Sequence, residues 1–227
     1  MVSTSEGRKD FLAHVPPLDL RCYVITGKGN ADHIVRVASE AARGGAGVIQ
    51  VRSKPIDAGD LLRLAERIAV AVAEVNQSTK ILIDDRVDVA LTLIDHGVPI
   101  HGVHLGQSDL PVQAARELLG PDAIIGLTTG TEELVRGANE VAEFIDYIGA
   151  GPFRPTPTKD SGRPPIGLDG YPRLVEVSRL PIVAIGDVQP ADVADLAATG
   201  VAGSAMVRAF MDAPDPYAVA RQVVANA

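Results

Sequence analysis

The sequence predicts an α/β protein, a closed (β/α)8 TIM barrel in a single domain, and three observations carry that expectation. Short β-branched runs recur eight times, Ala- and Leu-rich amphipathic segments lie between them, and no linker, long repeat or low-complexity tract interrupts the alternation. Parallel strands covered by helices on one side and core on the other read as continuous apolar runs, and a strand-then-helix unit repeated eight times closes on itself. An open doubly wound sheet would have fewer strands and more polar edge strands. At 227 residues the chain is a little shorter than the ~250 typical of such barrels, so nearly every loop must be short.

The elements follow in order. Residues 1–18 are expected to be a flexible tail, ended by "VPP" at Val15 to Pro17, and the barrel to occupy residues 19–227. The strands are expected at "CYVIT" (Cys22 to Thr26), "GVIQV" (Gly47 to Val51), "KILI" (Lys80 to Ile83), "HGVHL" (His101 to Leu105), "AIIGL" (Ala123 to Leu127), "DYIGA" (Asp146 to Ala150), "PIVAI" (Pro181 to Ile185) and "GSAMV" (Gly203 to Val207). Helical spacing runs from Ile56 to Asn76. It returns from Leu110 to Gly120, where Asp109 is expected as the cap, Pro111 in the first turn and Gly120 at the end.

Composition narrows the function. Twenty-one Lys and Arg face 29 Asp and Glu, a net charge of −8, so there is no basic surplus to displace counterions from a nucleic acid. A small anion remains open, because a local group of cations can oppose the overall sign. Cys22 is the single cysteine and cannot form an internal disulfide. No signal-peptide run is visible, and the longest apolar stretches, such as "IAVAVA" at Ile68 to Ala73, fall far short of the ~20 residues of a membrane span. A soluble, cytoplasmic protein is expected.

Polar groups gather just after the strands, on the face where barrels place their chemistry. Gln50, Arg52 and Lys54 alternate in "QVRSK" and so project to one side of an extended segment. Two cations beside an amide suit an anionic ligand, although each could be an ordinary surface charge. Asp84 and Asp85 follow the third strand and Asp109 the fourth. Carboxylates from adjacent strand ends suit a hard cation such as Mg²⁺, which takes oxygen ligands and bridges to phosphate; as single residues they could equally cap helices.

The stretch "GAGPFRPTPTKDSGRPP", Gly149 to Pro165, holds five prolines and can be neither helix nor strand. Thr156 and Thr158 bring hydroxyls and Lys159 a point charge, a set that a phosphate would satisfy. Gly186 after the seventh strand and Arg208 after the eighth occupy the usual phosphate position of barrels. Three other features are set aside. "GKGNAD" has Asp32 where a dinucleotide fingerprint needs its third glycine. His101 and His104 are an odd three apart on a strand and point away from each other. Cys22 reads as a small core residue.

Taken together, "QVRSK", "IDDRVDVAL", "HGVHLGQSDLP", "IIGLTTGT", "DYIGAGPFRPTPTK" and "PIVAIG" make the chain resemble the thiamine phosphate synthase family over nearly its whole length. The resemblance implies a transferase that joins hydroxymethylpyrimidine diphosphate to thiazole phosphate by a Mg²⁺-assisted, largely dissociative displacement, releasing diphosphate. It implies that Gln50, Arg52 and Lys54 hold the pyrimidine substrate and its diphosphate, beside Asp84, and that Asp85 and Asp109 hold Mg²⁺. Thr128 and Lys159 would contact the pyrimidine diphosphate, and Thr156 and Thr158 the thiazole phosphate, with Gly186, Val207 and Arg208 closing that side. Lys159, Arg52 and Lys54 would be the catalytic cations. Small-molecule partners are implied, with no nucleic acid and no membrane, and homo-oligomers stay open.

The chain departs from the family at several places. Asn is usual at Asp84, serine at Thr128, glycine at Asp187 and often serine at Arg208. The interval between Asp85 and Asp109 is longer, with extra residues near "LIDHGVPIHG", and His101 stands where Asp is common. Two other readings stand beside the synthase: a related thiazole tautomerase, which would need a general acid and base rather than a diphosphate clamp, and, motivated by Asp84 and Asp187, a degenerate barrel that only binds a thiamine precursor.

Overall fold

The computed structural model describes residues 18–155 and 162–227. Eight parallel strands close into one barrel in sequence order: β1 (Cys22–Ile25), β2 (Val48–Val51), β3 (Lys80–Asp84), β4 (Gly102–Leu105), β5 (Ile124–Thr129), β6 (Tyr147–Ala150), β7 (Ile182–Ile185) and β8 (Gly203–Met206). The barrel closes where β8 pairs with β1, Tyr23 lying opposite Ala205. Each expected strand is present within a residue or two. The expected tail, residues 1–17, lies outside the described residues, as do Thr156, Thr158 and Lys159.

Strand periodicity sorts the side chains into two cores. On β3, Ile81 and Ile83 face the helices, whereas Leu82 packs inside the barrel with Tyr23, Ile25, Val48, Tyr147, Val183 and Ala205. Each fully buried Ile or Leu of this kind contributes roughly 1.5–3 kcal/mol. The outer shell is α1 (Ala31–Arg43), α2 (Ala58–Val75), α3 (Val87–Asp95), α4 (Val112–Leu119), α5 (Glu132–Glu140), α6 (Gly167–Val177), α7 (Val193–Ala198), α8 (Arg208–Met211) and α9 (Pro216–Asn226). α1 buries Ile34, Val37, Ala38, Ala41 and Ala42, spaced as one helical face. Asn30 caps it by accepting from the Asp32 N–H at 2.8 Å, so "GKGNAD" is a helix start.

One expected cap is corrected. α4 begins at Val112 with Pro111 at the N-cap position and no side-chain cap. Asp109 lies two residues before that position and instead accepts from the Gly106 N–H at 2.7 Å, closing the loop after β4.

The extra residues between α3 and β4 lie in the turn at the N-terminal rim, opposite the face where the strands end. The same rim holds Lys80, fully buried, whose Nζ has no hydrogen-bond partner among the described residues. Burial pushes its pKa down to about 8. Beside it the Ile81 N–H donates to His101 Nδ1 at 3.1 Å, and burial together with the Lys80 charge pushes the imidazole down to about 4. Cys22 is fully buried in β1, and its thiol is pushed up to about 12 by burial, which leaves it inert. Among the described residues no helix is long and apolar enough to cross a membrane.

Candidate active site

The C-terminal ends of β2 and β3 deliver their polar side chains to one place. Asp84 closes β3, pairs in register with His104 on β4, and is only 7% exposed. Its Oδ1 accepts from Gln50 Nε2 at 2.6 Å, while Oδ2 lies 3.3 Å from Arg52 Nε and 3.2 Å from Lys54 Nζ. Neither of those Oδ2 contacts is an aligned hydrogen bond, so the attraction there is mainly between charges. Lys54 Nζ also donates to Asp85 Oδ2. The alternating triplet of β2 therefore converges on Asp84, which gathers the cations from below rather than facing the solvent.

Asp85 carries a left-handed backbone, φ 60°, and its N–H donates to the His104 carbonyl at 2.9 Å. Such a conformation is costly for a side chain other than glycine, though Asp and Asn tolerate it best. Its effect is to turn the carboxylate outward. A pocket of about 580 Å³ opens there, lined by Arg52, Lys54, Asp84, Asp85, Arg86 and Asp109 with Val51, Ile56 and Leu61. The longer interval between Asp85 and Asp109 does not separate them, because the added residues turn at the opposite rim.

Among the described residues no three His, Cys, Asp or Glu side chains group to hold a metal. Two carboxylates on one pocket wall, beside cations able to bind phosphate, nevertheless fit a cation that keeps several waters and shares phosphate oxygens as ligands. Arg86 also lines the pocket, and its guanidinium is engaged by Asp88, with Nε donating to Oδ1 at 2.7 Å.

The other expected residues stand along the same rim. Thr128, the last residue but one of β5, is half-buried, with Oγ1 2.9 Å from His104 Nε2. Gly186 follows β7 with φ 105°, and a Cβ there would stand 2.6 Å from the Pro152 Cα, so the close approach of the loop after β6 requires glycine. Val207 packs against the interior core, and Arg208 opens α8. Arg208 Nη2 donates to Asp187 Oδ1, and among the described residues Asp187 is, after Asp85, the second non-glycine residue with a left-handed φ, 57°. The flanks of residues 156–161 are pinned: Arg154 Nη1 donates to Asp192 Oδ2 at 2.7 Å, and Arg163 Nη1 to the Thr129 carbonyl at 2.6 Å.

Sequence reasoning missed the inside of the barrel. Tyr23 OH donates to Gln50 Oε1 at 3.1 Å, the Tyr23 and Tyr147 hydroxyls are 2.6 Å apart, and Tyr147 OH lies 2.9 Å from His104 Nδ1. Burial raises both phenol pKa values, so these hydroxyls keep their protons. The available signal was parity. Tyr23 alternates with Ile25, and His104 aligns with Asp84, so both had to face inward. His101 and His104 do part company, one at each end of β4.

Comparison with known proteins adds to this geometry. The family described as "Thiamine monophosphate synthase" matches residues 22–210. A protein named thiamine-phosphate synthase from Corynebacterium jeikeium is 64% identical over 210 residues, 92% of this chain and 95% of the relative. A protein of the same name from Corynebacterium efficiens is 61% identical over 209 residues, with the same coverage of both chains. Among solved structures, a thiamine phosphate pyrophosphorylase from Pyrococcus furiosus superposes with a TM-score of 0.76 at 31% identity, covering 92% of this chain and 95% of that one.

Proposed function

This chain belongs to the thiamine monophosphate synthase family, and from that premise we propose how its own residues carry the reaction. It joins hydroxymethylpyrimidine diphosphate to thiazole phosphate. The bond from the pyrimidine methylene to the diphosphate oxygen breaks, the thiazole nitrogen bonds to that carbon, and diphosphate leaves with the electron pair. No protein nucleophile is needed. The aminopyrimidine ring delocalises the positive charge, so the protein must hold the leaving group and aim the nitrogen.

Arg52 and Lys54 receive the diphosphate, held in place from beneath by Asp84, which Gln50 fixes in turn. Asp84 is thus an organiser of cations, and its charge is spent on them. Asp85 and Asp109 would hold Mg²⁺, which on binding screens the diphosphate charge. Arg208, beside Gly186 and Val207, takes the thiazole phosphate. Thr156, Thr158 and Lys159, outside the described residues, enter on sequence alone, with Lys159 as a third cation for the leaving diphosphate.

The observation that carries this reading is the shared pocket of Arg52, Lys54, Asp85 and Asp109 at the strand ends. The tautomerase and precursor-binding readings gain no support of their own, since Asp84 and Asp187 each have cationic partners. Purified protein given both substrates and Mg²⁺ should release diphosphate in step with thiamine phosphate. Asp85→Ala or Asp109→Ala should lower turnover by roughly 100-fold or more. Unchanged turnover in both variants would remove the metal assignment, and no diphosphate from the parent protein would remove the reaction.

A further inference from the structure

Past the last paired residues of β1 and β2, Ile25 opposite Gln50, one side chain carries the ladder further. The Thr26 N–H donates to the Gln50 carbonyl at 3.0 Å, the ordinary next step of a parallel pair. Arg52 is then served by a hydroxyl. Thr26 Oγ1 accepts from the Arg52 N–H at 2.8 Å and donates to the Arg52 carbonyl at 2.9 Å. A hydroxyl has one proton to give, and a carbonyl can only accept, so the direction of both bonds is settled. Thr26 is fully buried, with no surface open to a ligand.

The two bonds grip the two peptide planes that flank the Arg52 Cα, one through its N–H and the next through its C=O. Together they fix where the Cα–Cβ bond points. The far end of the side chain has no such guide among the described residues. Arg52 Nε lies 3.3 Å from Asp84 Oδ2 without an aligned hydrogen bond, an attraction of charges that sets distance more than direction. A planar guanidinium grips phosphate oxygens through parallel N–H groups, so its value depends on its aim as well as its charge.

We propose that Thr26 is a positioning residue for the leaving diphosphate: its hydroxyl aims Arg52, while Thr26 itself touches neither substrate nor metal. The proposal rests on the reaction and on the role of Arg52 assigned above. Thr26 also neighbours β8, whose end carries the thiazole phosphate side, yet among the described residues both hydrogen bonds of its side chain run to the β2 exit. The effect of losing the hydroxyl therefore falls on diphosphate.

Calorimetric binding of magnesium diphosphate to the full chain, set beside the KM for thiazole phosphate, tests this. Thr26→Val keeps the buried shape and removes both bonds. It should weaken magnesium diphosphate about tenfold and leave the KM for thiazole phosphate within about twofold. Thr26→Ser, which keeps the hydroxyl and gives up the methyl, should bind magnesium diphosphate as the parent does, even where its urea melt shows lower stability. In Arg52→Ala, adding Thr26→Val should change that affinity by less than about twofold, because the side chain it aims is gone. If Thr26→Val does not fold, Thr26→Ala takes its place in each comparison. Parent-like diphosphate binding in Thr26→Val would overturn the proposal. So would Thr26→Ser binding as weakly as Thr26→Val, full additivity with Arg52→Ala, or equal losses for diphosphate and thiazole phosphate. A parent that binds no magnesium diphosphate overturns it too. A parent that binds it yet releases none from the two substrates overturns the assigned reaction instead, and the binding comparison still decides the role of Thr26.

Discussion

Asp187 and Arg208, both foreign to the family's usual residues, meet at the ends of β7 and β8. Glycine is the easy residue at φ 57°, and an aspartate there bears backbone strain. What holds it is its carboxylate, which accepts from Arg208 and, at 3.2 Å, from Gln189 Nε2. The two departures therefore belong together, as a charge and its partner. Arg208→Ser alone should leave an unpaired carboxylate beside the thiazole phosphate and raise its KM about tenfold or more, with kcat nearly unchanged. Adding Asp187→Gly should recover most of that loss. Steady-state kinetics of the parent, both single variants and the double variant would read the coupling, and additive effects would mean that the two positions act apart. The ends of β7 and β8 were legible as one place, but this side-chain pairing was not, because it depends on the parallel register of the two neighbouring strands and on the left-handed turn at Asp187.

At the scale of elements, the strands were legible because both faces of each are buried, so their β-branched runs stand out against the helices. The convergence of Gln50, Arg52 and Lys54 was legible for the same reason, since period-two spacing is local. The Asp84 to Thr128 chain was not, because its members read singly as core aromatics or a stray histidine and acquire meaning only from cross-strand register. The start of α4 was misread because Asp109 found a nearer N–H to satisfy. The junction of β3 and β4 also sets a pH response. His101 titrates at about 4 in the folded protein and near 6.5 when unfolded, so between these values the unfolded chain binds more protons. Stability should be full above about pH 6.5 and fall by about 3 kcal/mol as the pH drops to 4. His101→Asn keeps an acceptor for the Ile81 N–H, and urea melts across this range should show it losing most of that slope.

Over the whole molecule the two rims divide the labour. The C-terminal rim holds the convergent charges and the two strained aspartates, and a net charge of −8 does not prevent a cationic cluster from forming there. The opposite rim holds Lys80, His101 and the lengthened turn before β4, none of which touches the pocket. Gly97 in that turn has a left-handed φ of 76° and open space around the position of a Cβ. The floor of the barrel is therefore a natural graft point. A short affinity handle spliced between His96 and Gly97 should leave the Michaelis constants for both substrates as they were, and a shift in either would reveal that floor and mouth communicate.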